Sequence, residues 1–269
     1  MSTDPTAARP APGTQPGAYH PGPAVSPAGV AGRSSESTVR LVWAYPDLLS
    51  TYGDRGNLLI LAQRAARRGL PVETFEVRSD QKLPEHGDIY LLGGGEDGPQ
   101  SLAAERLIAD GGLSRAVARG AVLLSICAGY QLVGESFYAK GRQCPGLGLV
   151  DLRSDRGPSR AVGELAGAPD PRLGLPTITG FENHGGRTHL GPGATPLATV
   201  SAGIGNDGTT EGVWAGRILG TYMHGPALAR NPALADLLLA WVVGSALPPL
   251  DDTWPGRLRE ERLAAVLRP

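Results

Sequence analysis

The chain has 269 residues and a formal net charge of −1, a size that suits one α/β domain with ornaments. The near-neutral balance gives no basis for binding nucleic acid or an anionic membrane surface. Two cysteines, Cys127 and Cys144, are too few for a disulfide scaffold or a zinc site, and their scarcity fits a reducing, cytoplasmic setting.

Residues 1–37 are mostly proline, glycine, alanine and serine, too poor in large apolar side chains to offset ordering entropy. They are expected to form a disordered tail. A basic-then-apolar secretory layout is absent from this stretch. Folded character begins at Thr38. "VRLVWAY" reads as a strand, and "GNLLILAQRAARRGL" as a helix closed by Gly69. "PVETFEV" and "DIYLLGG" follow as strands. "SLAAERLIADGGLSRAVARG" is helical with a break at Gly111–Gly112, and "AVLLSI" has the all-apolar character of a strand covered on both faces. This alternation predicts an α/β three-layer sandwich over residues 38–245, with a mostly parallel sheet flanked by helices.

The half after Cys144 has another texture. "GLGLVDL", "PTITGFEN", "TPLATVSAG" and "EGVWAGRILGTYMHG" read as short strands and turns, partly antiparallel. "NPALADLLLAWVV" returns as a helix. The longest apolar run, "ALADLLLAWVVGSAL", contains Asp236 and is read as a core-facing helix rather than a membrane span. Residues 246–269 form an extension whose "PGRLREERLAAVLR" is predicted to be an amphipathic helix.

Ligands of a parallel sheet bind at the carboxyl ends of its strands. Three features belong there: "GGGEDG" (Gly93–Gly98) after the third strand, Cys127 after "AVLLSI", and His224 in "LGTYMHGP". A histidine that takes a thiol proton and a thiolate that attacks a carbonyl carbon form a simple nucleophile–base pair. Placement at a helix N-terminus favours the thiolate. The backbone amides of Gly94, Gly95 and Ala128 are candidate oxyanion donors. Each feature has a plainer reading: Cys127 as a core thiol, the glycines as a tight turn, His224 as a loop histidine. Their joint position at three strand ends favours an active site. "GGGEDG" is neither a Walker loop nor a dinucleotide fingerprint, because the required lysine and glycine spacings are missing.

"SICAGYQLVGES" resembles the nucleophile elbow of class I glutamine amidotransferases, in the cobyric-acid-synthase-like branch. "STYGDRGNLLIL", "LLGGGEDGPQ", "GFENHGGRT" and "GTYMHGP" are similar to one family within it: the glutamine amidotransferase subunits (GatD) of lipid II isoglutaminyl synthase. The resemblance runs from Thr38 to Trp241 and implies a flavodoxin-like amidotransferase fold. It also implies hydrolysis of L-glutamine through a Cys127 thioester, with His224 as base. Released ammonia would pass to a Mur-ligase-like (MurT-like) subunit in a heterodimer. With ATP and Mg²⁺ held on that partner and no cofactor in this chain, lipid II would gain D-isoglutamine, a step of peptidoglycan synthesis in a bacterial cytoplasm. Arg160 matches the family's glutamine-binding arginine, with Arg153 and Arg156 near enough to compete, and Gln131 of the elbow helix is a further substrate-binding candidate.

One departure stands out. The wider superfamily orients its histidine with a glutamate two residues on, and Pro226 occupies that place here. Either another acidic residue serves, or the partner supplies one across the interface, as the family implies. Asp54, Arg55 and Asn57 are read as caps of the first helix or as interface residues. Glu182, Asn183 and His184 are read as shaping the site or the interface. Alternative functions are an amidotransferase of cobyrinic or cobyric acid synthesis, a non-catalytic partner-binding scaffold, and a stand-alone cysteine hydrolase.

Overall fold

Short apolar runs bounded by glycines build the first half of the chain. The computed structural model describes residues 38–267, so the expected tail over residues 1–37 lies outside the described residues. The elements begin β1 (Val39–Ala44), α1 (Arg55–Ala66), β2 (Val72–Val77), β3 (Ile89–Leu92), α2 (Asp97–Asp110), α3 (Gly112–Ala118), β4 (Val122–Ile126) and α4 (Ala128–Leu132). Gly111, at φ +65°, separates α2 from α3 at the break read from the sequence. A left-handed backbone there is cheap only for glycine.

One six-stranded sheet runs β2-β1-β3-β4, then β12 (Ile218–Thr221) and β11 (Val213–Ala215). All pairs are parallel except β11 with β12. The order reverses at β1: the chain steps outward to β2, then back across to β3. Right-handed crossovers moving in opposite directions put α1 on one face and α2 with α3 on the other. β3, β4 and β12 are buried along their whole length, as doubly covered strands should be. On the α1 face lie α5 (Ala227–Arg230) and α6 (Pro232–Val243). The last helix, α7 (Thr253–Val266), has no buried residue.

The expectation of a mostly parallel sheet holds for this sheet alone. A second sheet contains β5 (Ser136–Ala139), β6 (Arg142–Pro145), β7 (Leu152–Pro169), β8 (Ile178–Leu190), β9 (Ala198–Ala202) and β10 (Thr210–Glu211). Except for β5 with β7, its pairs are antiparallel. "GLGLVDL" is largely a loop: the Gly148 and Leu149 amides bond to the carbonyls of Gly134 and Val133, and β7 begins only at Leu152. Most of β7 is glycine-bearing and polar, which conceals an 18-residue strand from a search for apolar alternation.

Candidate active site

Four strand ends of the parallel sheet converge. β1 leads to Asp54, β3 to Gly93–Gly95, β4 to Cys127 and β12 to His224. This lies around the point where strand order reverses, the position such sheets reserve for ligands.

Cys127 stands between β4 and α4 at φ +51°, ψ −107°, a sparsely populated conformation for a side-chain-bearing residue. Its amide donates to the Thr221 carbonyl, which fixes the elbow to β12. Gly129 lets the elbow press on the third strand's end, since a Cβ there would come within 2.8 Å of the Gly93 carbonyl oxygen. The thiol is 8% exposed and opens into a cavity of about 390 Å³ lined by Gly95, Ala128, Gln131, Arg160, Asn183 and His184, among others. That volume suits a small metabolite.

His224 is 1% exposed. Its backbone is clamped by β8: the His224 amide donates to the Phe181 carbonyl at 2.8 Å, and the Phe181 amide returns a bond at 3.1 Å. His224 Nδ1 lies 3.4 Å from Asp54 Oδ1. The other Asp54 oxygen accepts the Gly94 amide. Burial disfavours the charged ring, but the Asp54 carboxylate and the Cys127 sulfur outweigh it and push the His224 pKa up to about 9. No close hydrogen bond reaches either ring nitrogen, a looseness common in catalytic groups before substrate binds.

Asp54 is thus the carboxylate that lies beside the His224 ring. Pro226, in the glutamate's place, packs against the start of α1, where a Cβ on Gly56 would lie 2.1 Å from the proline ring. The carboxylate nearest the imidazole comes from the loop before α1, within this chain. The capping readings are corrected too. Asp54 makes no side-chain cap to α1. Asn57 Oδ1 accepts the Leu228 amide at 3.0 Å, so it serves the start of α5 rather than α1. The signal for Asp54 is in "TYGDRGN", an acid in the loop ten residues beyond the end of the first strand at Ala44. The vacant His-x-Glu position was the signal to look there.

The oxyanion candidates divide. The Gly94 amide is spent on Asp54, and a Cβ at Gly94 would sit 2.9 Å from His224 Cε1, so its bareness makes room for the imidazole. Gly95 and Ala128 line the cavity. Gln131 also lines it, but its amide is already held: Oε1 accepts from Gln100 at 2.8 Å and Nε2 donates to the Tyr222 hydroxyl at 3.1 Å. It forms a fixed floor.

Arg160 owes its position to an irregularity. Between the pairs Arg156–Gly186 and Ala161–His184, β7 advances five residues and β8 only two. The intervening residues Gly157–Arg160, opposite Gly185 alone, bulge into the cavity wall. Arg156 and Arg160 both line the cavity, whereas Arg153 pairs with His189 farther along the strand and does not. Next to this wall Glu182 and His184, each 2% exposed, lie 3.0 Å apart. Glu182 also accepts the amides of Ile204 at 2.7 Å and Gly205 at 2.9 Å. The His184 ring stacks on Tyr222 with centroids 3.6 Å apart. Among the described residues, no group of three or more His, Cys, Asp or Glu side chains is arranged to hold a metal ion. No described helix is long and apolar enough to cross a membrane.

A thiol, a histidine and a carboxylate in series beside a cavity are the arrangement expected of a cysteine-nucleophile enzyme, here on a flavodoxin-ordered sheet. Residues 40–232 match the CobB/CobQ-like glutamine amidotransferase domain, and the chain belongs to that family of glutamine-hydrolysing enzymes. Within it, the chain is 35% identical over 196 residues to the lipid II isoglutaminyl synthase (glutamine-hydrolyzing) subunit GatD of Staphylococcus aureus, covering 72% of this chain and 79% of that protein. It is 36% identical to the GatD subunit of Streptococcus pneumoniae, over 71% and 75% of the two chains. Similarity to the cobyric acid synthase of Sphingopyxis alaskensis, at 31% identity, spans 34% of that protein. A crystal structure of a glutamine amidotransferase superposes with a TM-score of 0.51 at 20% identity, over 75% of this chain and 98% of the other, a likeness of fold.

Proposed function

We propose that this chain is the glutaminase subunit of a two-subunit synthase that amidates the D-glutamate α-carboxylate of lipid II to D-isoglutamine, in the bacterial cytoplasm. The observation that carries the chemistry is the Cys127–His224–Asp54 series at adjoining strand ends. With the proton of the Cys127–His224 pair resting on the imidazole, the Cys127 thiolate attacks the side-chain carbonyl of L-glutamine. The amides of Gly95 and Ala128 hold the oxyanion; one such donor is worth about 3 kcal/mol of barrier. His224 then protonates the departing amine, releasing ammonia and leaving a glutamyl thioester. Water, deprotonated by His224, cleaves the thioester to glutamate. Arg160, in the cavity wall, binds the substrate α-carboxylate.

The acceptor chemistry belongs to a Mur-ligase-like partner with ATP and Mg²⁺. Support for this acceptor comes from coverage: the chain spans three quarters or more of the two GatD subunits but about a third of the cobyric acid synthase. The test is glutamate release from glutamine by the purified chain, alone and with the Mur-ligase-like subunit of the same organism, followed by mass analysis of lipid II. Amidated lipid II that depends on both chains, on ATP and on Cys127 is expected. Glutamate release without any amidated lipid II would remove this acceptor and leave the glutaminase.

A further inference from the structure

Arg160, Asn183, Tyr52 and His224 form one connected chain that starts from the cavity wall at Arg160 and Asn183. Arg160 Nε donates to Asn183 Oδ1 at 2.5 Å, and Arg160 Nη2 donates to the Asn183 carbonyl at 3.4 Å. Asn183 Nδ2 donates to the Tyr52 hydroxyl at 2.7 Å. The two bonds fix which end of the amide is which, since only the oxygen can accept from a guanidinium. The Tyr52 ring then meets His224 edge-on, with centroids 5.0 Å apart and planes at 63°. The Asn183 carbonyl also faces Cys127 Sγ at 4.0 Å.

Tyr52 is 47% exposed and sits at φ +57°. A bulky aromatic residue rarely adopts that left-handed conformation. Its side chain meets Asn183 and His224 although the residue is half exposed. Asn183 in turn lies between Glu182 and His184, which pair with each other, two residues past Phe181, whose backbone clamps His224, so it rides on a rigid stretch of β8.

We propose that Asn183 and Tyr52 are positioning residues that couple occupation of the α-carboxylate subsite to the alignment of His224 against Cys127. The inference rests on the reading of Arg160 as the carboxylate-binding arginine. With Nε and Nη2 committed to Asn183, the guanidinium is held in one orientation and Nη1 is left for the substrate. When a carboxylate pulls on Arg160, the displacement reaches the Tyr52 ring through Asn183, and the ring bears on the imidazole. An aspartate at position 183 would keep the acceptor for Arg160 but lose the donor to Tyr52, and its charge would compete with the substrate carboxylate.

The test uses the full chain and follows alkylation of Cys127 by intact mass, with two electrophiles. One is a chloroketone analogue of L-glutamine, which carries the α-carboxylate; the other is iodoacetamide, which does not. Tyr52→Phe and Asn183→Ala should each slow labelling by the chloroketone about three- to tenfold, the range expected for one hydrogen bond in a charged chain, with iodoacetamide labelling within twofold of the parent. Asn183→Asp should be slower than Asn183→Ala. The double variant should be no slower than Asn183→Ala alone, because both changes cut one relay. Additive losses, unchanged chloroketone labelling, or an equal fall with iodoacetamide would each overturn the proposal. Arg160→Ala separates the two levels. If it leaves chloroketone labelling unchanged, the reading of Arg160 itself fails. If it alone slows labelling, the arginine reading stands and the relay falls.

Discussion

The two sheets divide the work of the site in different ways. The parallel sheet brings Cys127, His224 and the Gly93–Gly95 loop to the ends of strands that are themselves apolar and buried, so their positions follow from where those strands stop. The antiparallel sheet supplies the wall, and it does so from the middle of its strands. Arg160 enters through a bulge in β7, while Phe181 and Asn183 act from within β8. The first sheet is held by burial of apolar surface, about 25 cal/mol per Å². The stretch of the second that meets the site is held by a buried polar network: Glu182, His184, Tyr222, Thr188 and Ser154. Apolar burial tolerates small adjustments, whereas a buried network is stable only when every member is satisfied. Chemistry should therefore fail at once when strand-end residues change. Changes in the second sheet should show first as lost stability.

The largest effect is expected at the nucleophile. Cys127→Ala should remove glutamate release by a factor on the order of 10⁶. Cys144→Ala should leave turnover near normal, since Cys144 is a buried thiol on β6 that bonds only to the Ala139 and Arg142 carbonyls. Comparable losses in both variants would erase the distinction between strand-end and mid-strand residues.

Next in size is Asp54→Asn. The amide keeps the shape but not the charge that holds His224 protonated up to about pH 9. Turnover should fall about 10²- to 10⁴-fold, as when the orienting acid of a triad is lost. The sign on the pH axis is definite. His224 is raised above its ordinary 6.5, so the imidazolium that protonates the leaving amine is fully present below about 6.5 and is lost as pH rises through about 9. The alkaline limb of the activity profile should lie near 9 in the parent and move toward 6.5 in Asp54→Asn. An unmoved limb would mean that Asp54 does not govern the histidine.

The same contrast explains what could be read from the residues alone. Alternation of apolar strands with helices exposed the parallel sheet nearly element by element, and glycine, cysteine and histidine marked three of the four ends that converge at the site. The fourth, Asp54, carried a plausible local meaning as a helix cap that concealed its long-range one. The second sheet was legible only as unnamed short strands. The polar positions that shape it near the site, Glu182, His184 and Thr188, are chosen for partners far along the chain, such as Ile204, Gly205 and Tyr222. No periodicity records a hydrogen bond across 20 or more residues. The bulge at Gly157–Arg160 is likewise a difference in length between two paired strands, which neither strand shows by itself.

A third prediction addresses the network directly. Glu182→Ala would leave His184 and the amides of Ile204 and Gly205 without their acceptor in a buried place. The cost is about 3 kcal/mol, the lower end for breaking a buried pair. For a domain of this size that lowers Tm by roughly 6–12 °C. Well below the transition, kcat/KM should fall less than in Asp54→Asn. A loss of activity as large as that of Asp54→Asn, with Tm unchanged, would place Glu182 in the chemistry rather than in the wall.

The smallest effect concerns the extension that touches both regions. Arg64 on α1, buried among its neighbours, donates to Asp236 at 2.6 and 2.7 Å and to Asp252 at 2.7 Å from two nitrogens. Arg68 joins the same Asp236 and the Pro248 carbonyl, both at 2.8 Å. These arginines strap the segment before α7 to the parallel-sheet side, while Arg262 of α7 reaches Glu164 on β7 at 3.3 Å. In Arg64→Met, Asp236 keeps Arg68, and Asp252, about a third exposed, regains water. The loss should therefore be modest, about 1–2 kcal/mol, and confined to the strap. Amide exchange should rise across α7 and the segment before it, with β4 and β12 unchanged. Glutamate release should stay within about twofold, because no strand end moves. A larger fall in activity would show that the extension braces the two sheets against each other, and the division of labour between them would then depend on the strap as well.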